Sequence, residues 1–429
     1  MALESHKFDS GLEVYTDHMP GTHTTALNVM VKVGGVDEAE HQGGLSHVIE
    51  HCAFNSSQMF ESAEERERYE KSHQYFTGAN TSLARTLFYA RSAQLEPMVR
   101  GIGSMVCGPT FDDIETIDEL KVVRREAVMS VDDKSAHMYH GTQQALFGSP
   151  YSRPVIGYVD TINTFTPEKV RRFYDETYSL GRIAVITAGK ATHQEVVEAV
   201  GSSFGESTLA RKNSSPRILP AVERYHSDKY VLHDESMASN VRVEIVTFAT
   251  DDLYEKSVDP ETALEYTAAH SLIGKNVFKT VRLDRRLSYD GGFFPAKTVH
   301  PHTATMRAGA TCDHDKVGEL MEALDDGILS SQSVIDSDID LSINTFKGGQ
   351  LISLDDVSAR CGNITGYVES NQKPWTDKET EAKLNSLTVG KVRNAIQHVI
   401  DTYGSAEKFI FAKGDSKNLP TFKNLSSRL

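Results

Sequence analysis

Long hydrophobic runs are absent from this 429-residue sequence. Residues 183–188 are a typical longest run, which is far below the ~18 apolar residues that a membrane-spanning helix needs and is typical of a buried strand. Residues 1–7 also lack the basic start and apolar core of a secretory signal. We therefore expect no membrane span and a cytoplasmic location.

Basic residues and cysteines are scarce as well. Lys and Arg number 45 against 60 Asp and Glu, which gives a net charge of −15. Such a balance repels phosphate backbones, so no nucleic-acid partner is expected. The four cysteines lie far apart with no CxxC pair; they are Cys52, Cys107, Cys312 and Cys361. This pattern favours reduced structural thiols over a disulfide framework.

The chain contains an internal repeat. A strand pattern around Leu27 recurs around Val241, and the helix that follows Thr166 recurs after Thr388. Matching segments keep the same order and lie 214 to 225 residues apart. The prediction is an α+β fold of two tandem, structurally duplicated domains, each with a mostly antiparallel or mixed sheet and helices packed on one face. The predicted limits are residues 1–210 and 227–429, joined by a linker at 211–226.

One helix pattern carries histidines at metal-ligand spacing. Gly43 and Gly44 precede a helix in which His47 and His51 are four residues apart, so both imidazoles lie on one face. Two imidazoles on one face suit a Zn²⁺ ion, and a catalytic zinc needs a third protein ligand besides water. Glu50 precedes His51 directly and is placed to act as a general base on a water held by the metal.

A second helix, predicted at about residues 113–132, offers the missing ligand. Glu119 and Glu126 are seven residues apart, so their carboxylates project from one side of the helix. One carboxylate could then bind the metal while the other assists it. The alternative is that both are solvated surface acids.

These residues resemble a known family. The H-x-x-E-H order, with Glu126 placed 75 residues after His51, is similar to the inverted-motif zinc peptidases of family M16, which are related to pitrilysin and the mitochondrial processing peptidase. The resemblance covers essentially the whole chain. It implies that His47, His51 and Glu126 are the zinc ligands, that Glu50 is the base, and that Glu119 is a second catalytic acid.

Two further segments resemble the family pattern, each with one departure. Residues 282–289 resemble R-x-x-R-G-L-x-Y and retain Arg282 and Tyr289. The match implies that these two side chains donate hydrogen bonds to the oxyanion and to a substrate carbonyl. Arg286 replaces the family's Gly. Residues 78–81 resemble N-A-x-T, the start of an edge strand that pairs with the substrate backbone. That match implies that Ala79 and Asn80 bind substrate, although Gly78 replaces the family's Asn.

The resemblance implies a zinc-dependent endopeptidase that cleaves peptides or extended segments in a chamber formed by two protomers. Because one chain carries both sets of residues, the expected assembly is a homodimer in which each protomer donates Arg282 and Tyr289 to its partner. Two alternatives stay open. The chain could be a catalytically silent structural or assembly subunit of the same fold, or the zinc-bearing half of a heterodimeric processing peptidase.

Overall fold

The structure, a computed structural model, describes residues 3–132, 134–205, 207, 209, 217–224, 229–234, 237, 239–259, 261–294, 298–300, 303–370, 372–415, 417 and 419. The described residues form two compact units. The first draws on residues 1–137, 149–221 and 352–378, and the second on residues 138–148, 222–351 and 379–429. Residues 211–216 and 225–226 of the predicted linker lie outside the described part. The domain limits 1–210, 211–226 and 227–429 therefore stay predictions.

The first unit is built on a mixed sheet in the order β1-β2-β6-β3-β5-β4. Strands β2 and β6 are parallel, whereas β3 is antiparallel to both β6 and β5. Every residue of β3 is buried, as expected for a central strand covered on both faces. Strand β4 forms one edge. The strands are β1 Glu4–Lys7, β2 Glu13–His18, β3 Thr25–Val31, β4 Gly78–Thr81, β5 Thr86–Ser92 and β6 Ile183–Gly189.

The second unit repeats this arrangement. Its sheet runs β10-β11-β8-β12-β7, with β9 also paired to β11. Strands β7 and β12 are parallel, while β8 is antiparallel to β12 and β11, which reproduces the pairing of β2, β6, β3 and β5. The predicted duplicated α+β fold with mixed sheets is thus confirmed. The strands are β7 Lys229–His233, β8 Asn240–Phe248, β9 Gly292–Phe294, β10 Thr298–His300, β11 Thr303–Asp313 and β12 Lys408–Gly414.

Helices fill the segments between the strands, and their starts follow local capping signals. The Thr166 hydroxyl accepts from the Lys169 amide ahead of Pro167, and the Thr388 hydroxyl accepts from the Lys391 amide at the equivalent helix. The α-helices are α1 Leu45–Cys52, α2 Ala63–Ser72, α3 Leu95–Cys107, α4 Asp113–Asp132, α5 Lys134–Leu146, α6 Val159–Ile162, α7 Pro167–Thr177, α8 His193–Phe204, α9 Asp251–Val258, α10 Ala263–Phe278, α11 Val317–Leu329, α12 Asp336–Asp355, α13 Val357–Glu369, α14 Asp377–Ser386 and α15 Val389–Ser405. Short 3₁₀ turns occur at Gly35–Asp37, Glu40–Gln42, Leu180–Arg182, His314–Lys316 and Ser330–Ser333, and a π-helical segment at Lys279–Asp284.

Both faces of the first sheet are covered. One face packs against the helices of the first half of the chain, including α1, α3, α7 and α8. The other face packs against α13, whose Cys361, Ile364 and Val368 contact apolar side chains of β3 and β6. The sequence predicted helices on one face of each sheet, so the packing of α13 on the second face is a difference from that prediction. A buried ion pair between Arg360 and Asp17 joins α13 to β2.

The four cysteines are all buried and none forms a disulfide. Within the described ranges, no helix combines the length and the apolar character that a bilayer crossing requires.

Candidate metal centre

Helix α1 presents two histidines from one face. It begins after Gly44, which has a φ of 105°, a left-handed conformation that glycine adopts without steric cost. Its apolar residues are buried; they are Leu45, Val48, Ile49 and Cys52. The His47 and His51 rings lie on the remaining face, with centroids 4.7 Å apart. Burial of the apolar face therefore sets the direction of both imidazoles.

Helix α4 brings Glu126 to these histidines. The Glu126 Oε2 atom lies 3.4 Å from His51 Nε2 and 3.9 Å from His47 Nε2. One ligand atom from each of the three residues lies within 4.8 Å of the other two. Bonds of about 2.0–2.2 Å in tetrahedral geometry place neighbouring ligand atoms about 3.4 Å apart. The three side chains therefore fit a zinc ion with little adjustment.

The protonation of His47 suits ligation, and the acids around His51 attract a cation. Burial, followed by the neighbouring His51, lowers the pKa of His47 to about 4, so its imidazole is neutral near pH 7 and keeps a lone pair. Burial also lowers the pKa of His51, but the carboxylates of Glu119, Glu126 and Glu50 outweigh burial and leave the pKa raised. Three acidic groups facing one imidazole make this pocket favourable for a cation.

Glu119 holds His51 from the other side of the ring. Its Oε2 lies 3.1 Å from His51 Nδ1, and its Oε1 accepts from Asn55 Nδ2 at 3.3 Å. Burial raises the Glu119 pKa, but these hydrogen bonds outweigh burial and the pKa is lowered, so the group is a carboxylate. A carboxylate can only accept, and therefore His51 carries a proton on Nδ1, whereas Nε2 faces Glu126.

Glu50 lies next to the ligand face. The Thr81 hydroxyl, at the end of strand β4, donates a hydrogen bond to Glu50 Oε2. Burial is the main cause that raises the pKa of Glu50, and the nearby Glu126 carboxylate raises it further. A carboxylate with a raised pKa is a stronger base than an ordinary glutamate, which suits proton abstraction.

Strand β4 lies beside α1 at the edge of the first sheet. It pairs with β5 on one side, and no described strand pairs with its other side. Ala79 is half-buried against the hydrophobic core of the first unit, whereas Asn80 is exposed and its Oδ1 accepts from Arg85 Nη1 at 3.3 Å. Opposite Gly78, the Tyr89 ring lies where a Cβ atom would be, within 2.5–2.6 Å. The departure at Gly78 is thus accompanied by a Tyr89 ring over the glycine.

Arg282 and Tyr289 belong to the second unit and lie against one another. The Arg282 Cζ atom is 4.3 Å from the centroid of the Tyr289 ring, and Tyr289 is 87% exposed. Arg286 has a φ of 55°, the left-handed conformation that the family's Gly would adopt freely. The backbone therefore keeps a glycine-type turn at Arg286, although the residue has changed.

Sequence reasoning missed three residues around α1. Asn55 and Thr81 contact Glu119 and Glu50, and Glu38 accepts from the first amides of the helix. Only Glu38 had a local signal, because Gly44 has no side chain to cap the helix and an acid therefore has to come from nearby. The other two contacts depend on tertiary packing.

Known proteins resemble this chain in sequence and in fold. Residues 13–157 match the family described as insulinase (peptidase family M16), and residues 164–335 match the peptidase M16 inactive domain. An uncharacterized zinc protease of Mycobacterium leprae is 24% identical over 408 residues, which cover 92% of this chain and 89% of that protein. The human mitochondrial-processing peptidase subunit beta is 21% identical over 440 residues, which cover 98% and 86%. A protease from Helicobacter pylori has a similar fold, with a TM-score of 0.80 at 17% identity, covering 96% of this chain and 99% of its own.

Proposed function

The chain belongs to peptidase family M16, and from that premise we propose that it is a zinc-dependent endopeptidase that cleaves peptides or extended segments. The observation that carries the proposal is the convergence of His47, His51 and Glu126 from two helices, with ligand atoms within 4.8 Å of one another. These three residues would hold the ion. When bound, zinc acts as a Lewis acid that polarises a carbonyl group and makes water a stronger nucleophile.

The remaining acids would perform distinct tasks. Glu50 takes a proton from the attacking water, and the Thr81 hydroxyl fixes the direction of its carboxylate. Glu119 keeps the proton of His51 on Nδ1 and so leaves Nε2 free to act as a ligand. The second acid thus serves the reaction through a ligand, without contact with the substrate.

The substrate would add to the sheet as a further strand. The outer edge of β4 offers backbone groups at Ala79 and Asn80 to an extended peptide, and main-chain hydrogen bonds of this kind do not depend on the peptide's sequence. Thr81 links the same strand to Glu50, so a peptide on this edge lies beside the proposed base. Peptides are therefore the proposed substrate class. The proposed location of the protein is the cytoplasm.

We further propose that two copies of the chain enclose the substrate in a chamber. In such a homodimer each protomer supplies Arg282 and Tyr289 to the metal centre of its partner, where a guanidinium and a phenol stabilise the developing oxyanion and a substrate carbonyl. The high exposure of Tyr289 supports this role, because its hydroxyl is available to a partner. The alternative assembly is a heterodimer with a related subunit.

The test is the variant Glu50→Gln, examined for zinc content and for hydrolysis of a quenched fluorescent peptide. The variant removes the base and leaves all three ligands, so we expect wild-type zinc content and a loss of activity by about 10²–10⁴-fold. A chelator should abolish the activity of the wild-type protein, and added zinc should restore it. Retained turnover in zinc-loaded Glu50→Gln would remove Glu50 from the base role. A wild-type preparation that is zinc-free and inert would instead favour a silent assembly subunit.

A further inference from the structure

Helix α1 obtains its N-terminal cap from a buried acid six residues before Gly44. Gly44, at the N-cap position, has no side chain to accept hydrogen bonds from the first turn. The Glu38 carboxylate accepts from the Gly44 amide at 2.9 Å through Oε2 and from the Ser46 amide at 2.7 Å through Oε1. Glu38 is only 6% exposed. When it is ionised, this carboxylate also interacts favourably with the helix dipole.

Arg153 fixes the loop that carries this acid. Its guanidinium donates to the carbonyl oxygens of Ala39 and Glu38, both at 2.6 Å, and to that of Gly35 at 3.3 Å. Arg153 also provides a positive charge near Glu38. Burial raises the pKa of Glu38 to about 7, and the two amide hydrogen bonds and Arg153 oppose that rise.

Two glycines allow the loop of Arg153 to lie directly against the start of the helix. A Cβ atom on Gly44 would come within 2.9 Å of the Ile156 carbonyl oxygen, and one on Gly157 within 2.6 Å of the Gly43 carbonyl oxygen. Both Gly44 and Gly157 have a positive φ, at 105° and 85°. The close backbone contact holds the Arg153 loop, and through Arg153 the loop of Glu38, against the first turn of α1.

The C-terminal end of the helix is fixed in a similar way. Arg66 donates from Nε to the Phe54 carbonyl oxygen at 2.9 Å, two residues beyond the last residue of α1. The same guanidinium pairs with Glu70 at 2.7 Å in a buried ion pair. Both ends of α1 are therefore held by buried side chains from outside the helix.

We propose that Glu38 is a positioning residue for the metal centre, because it fixes the first turn of α1 and with it the place of the His47 imidazole. Glu38 accepts from the amide of Ser46, the residue directly before His47. His51 is held separately, by Glu119. Loss of Glu38 should therefore displace His47 from His51 and Glu126. The role in zinc binding rests on the proposed function, but the role in holding the helix does not.

The experiment compares Glu38→Ala and Glu38→Gln with Asp17→Asn. Asp17 forms a buried ion pair with Arg360 on the opposite face of the same sheet, so its variant controls for a general loss of stability. Zinc affinity is measured by competition with a chromophoric chelator. Hydrogen exchange of the α1 amides is measured on the zinc-free full chain. We expect Glu38→Ala to lose about 10- to 100-fold in zinc affinity, Glu38→Gln to lose less because its amide oxygen can still accept one bond, and Asp17→Asn to change little.

Exchange of the first-turn amides of α1 should rise in Glu38→Ala and stay unchanged in Asp17→Asn. Unchanged exchange in Glu38→Ala would overturn the inference whatever the zinc result. Equal losses of zinc affinity in Glu38→Ala and Asp17→Asn would overturn its role at the metal centre. If the wild-type chain binds no zinc while exchange still rises in Glu38→Ala, the proposed function fails and the helix-holding role stands.

Discussion

His51 Nδ1 and Glu119 Oε2 lie 3.1 Å apart, so the imidazole that faces Glu126 through Nε2 is held by a carboxylate through its other nitrogen. The two glutamates of α4 thus act on opposite sides of one ring. The seven-residue spacing of Glu119 and Glu126 makes this possible, because almost two full turns separate them along the helix.

We predict that Glu119→Gln weakens zinc binding by about 10- to 100-fold while the chain stays folded. The amide can still contact Nδ1, but it brings no negative charge to raise the basicity of the ligand. The matched control is Asp118→Asn, because Asp118 is adjacent, exposed and paired only with Lys121 among the contacts described for it. Equal zinc affinity of the two variants in a chelator competition would show that Glu119 does not support His51.

The conformation of Arg286 leads to a stability prediction. A non-glycine residue at a φ of 55° costs about 1–2 kcal/mol, and Arg286→Gly should recover part of that cost, for a net stabilisation of about 0.5–1 kcal/mol. The measurement is the free energy of unfolding in urea. Leu283→Gly is the control. Leu283 is exposed within the helical segment Lys279–Asp284, where glycine should lower the stability of the protein. A less stable Arg286→Gly would mean that the arginine side chain outweighs the backbone strain.

Because His270 is buried, we predict that the folded protein loses stability in acid. It lies within α10, 8% exposed, and burial lowers its pKa to about 4. An unfolded chain, with a histidine pKa near 6.5, binds this proton more readily, so the His270 contribution falls as the pH drops from about 6.5 towards 4. At pH 5 the cost is about 2 kcal/mol relative to pH 7.5. In His270→Phe this part of the acid sensitivity should disappear.

The measurement is urea unfolding of the wild type and His270→Phe at pH 7.5 and pH 5. The difference between the two proteins is informative, because buried acids such as Glu38 contribute a pH dependence of the opposite sign to both. His314→Phe, which replaces an exposed histidine of the same unit, should follow the wild type. Parallel behaviour of all three proteins would show that His270 is not buried as a neutral ring.

Local patterns allowed much of the fold to be predicted. The four-residue spacing of His47 and His51 and the helix of Glu126 follow from periodicity, and the equivalent Thr166 and Thr388 caps follow from residue type. The packing of α13 on the first sheet could not be predicted, because its contacts, such as Asn28 to Thr365, join residues 337 positions apart. Thr81 was missed for the same reason, since it acts on α1 from another segment, whereas Glu38 lies only six residues before Gly44 and had a local signal.

The proposed exchange of residues between protomers can be tested by mixing two inactive variants. Glu50→Gln lacks the base, and Arg282→Ala lacks the guanidinium. In a mixed dimer, the metal centre of the Arg282→Ala protomer retains Glu50 and receives Arg282 from its partner, so one of the two sites is complete. Random exchange at equal amounts makes about half of the dimers mixed, and the activity should therefore recover to about a quarter of the wild-type value.

The recovery must require exchange of subunits, so it should appear only after incubation that permits dissociation, and light scattering should show dimers throughout. Mixing Glu50→Gln with Glu119→Gln is the control, because both variants damage the same metal centre and the mixed dimer contains no intact one. Absence of recovery in the first mixture, with dimers present, would mean that Arg282 does not act on the partner's metal centre. A chain that stays monomeric and inert until a related subunit is added would instead favour the heterodimer, since the missing residues would then come from another protein.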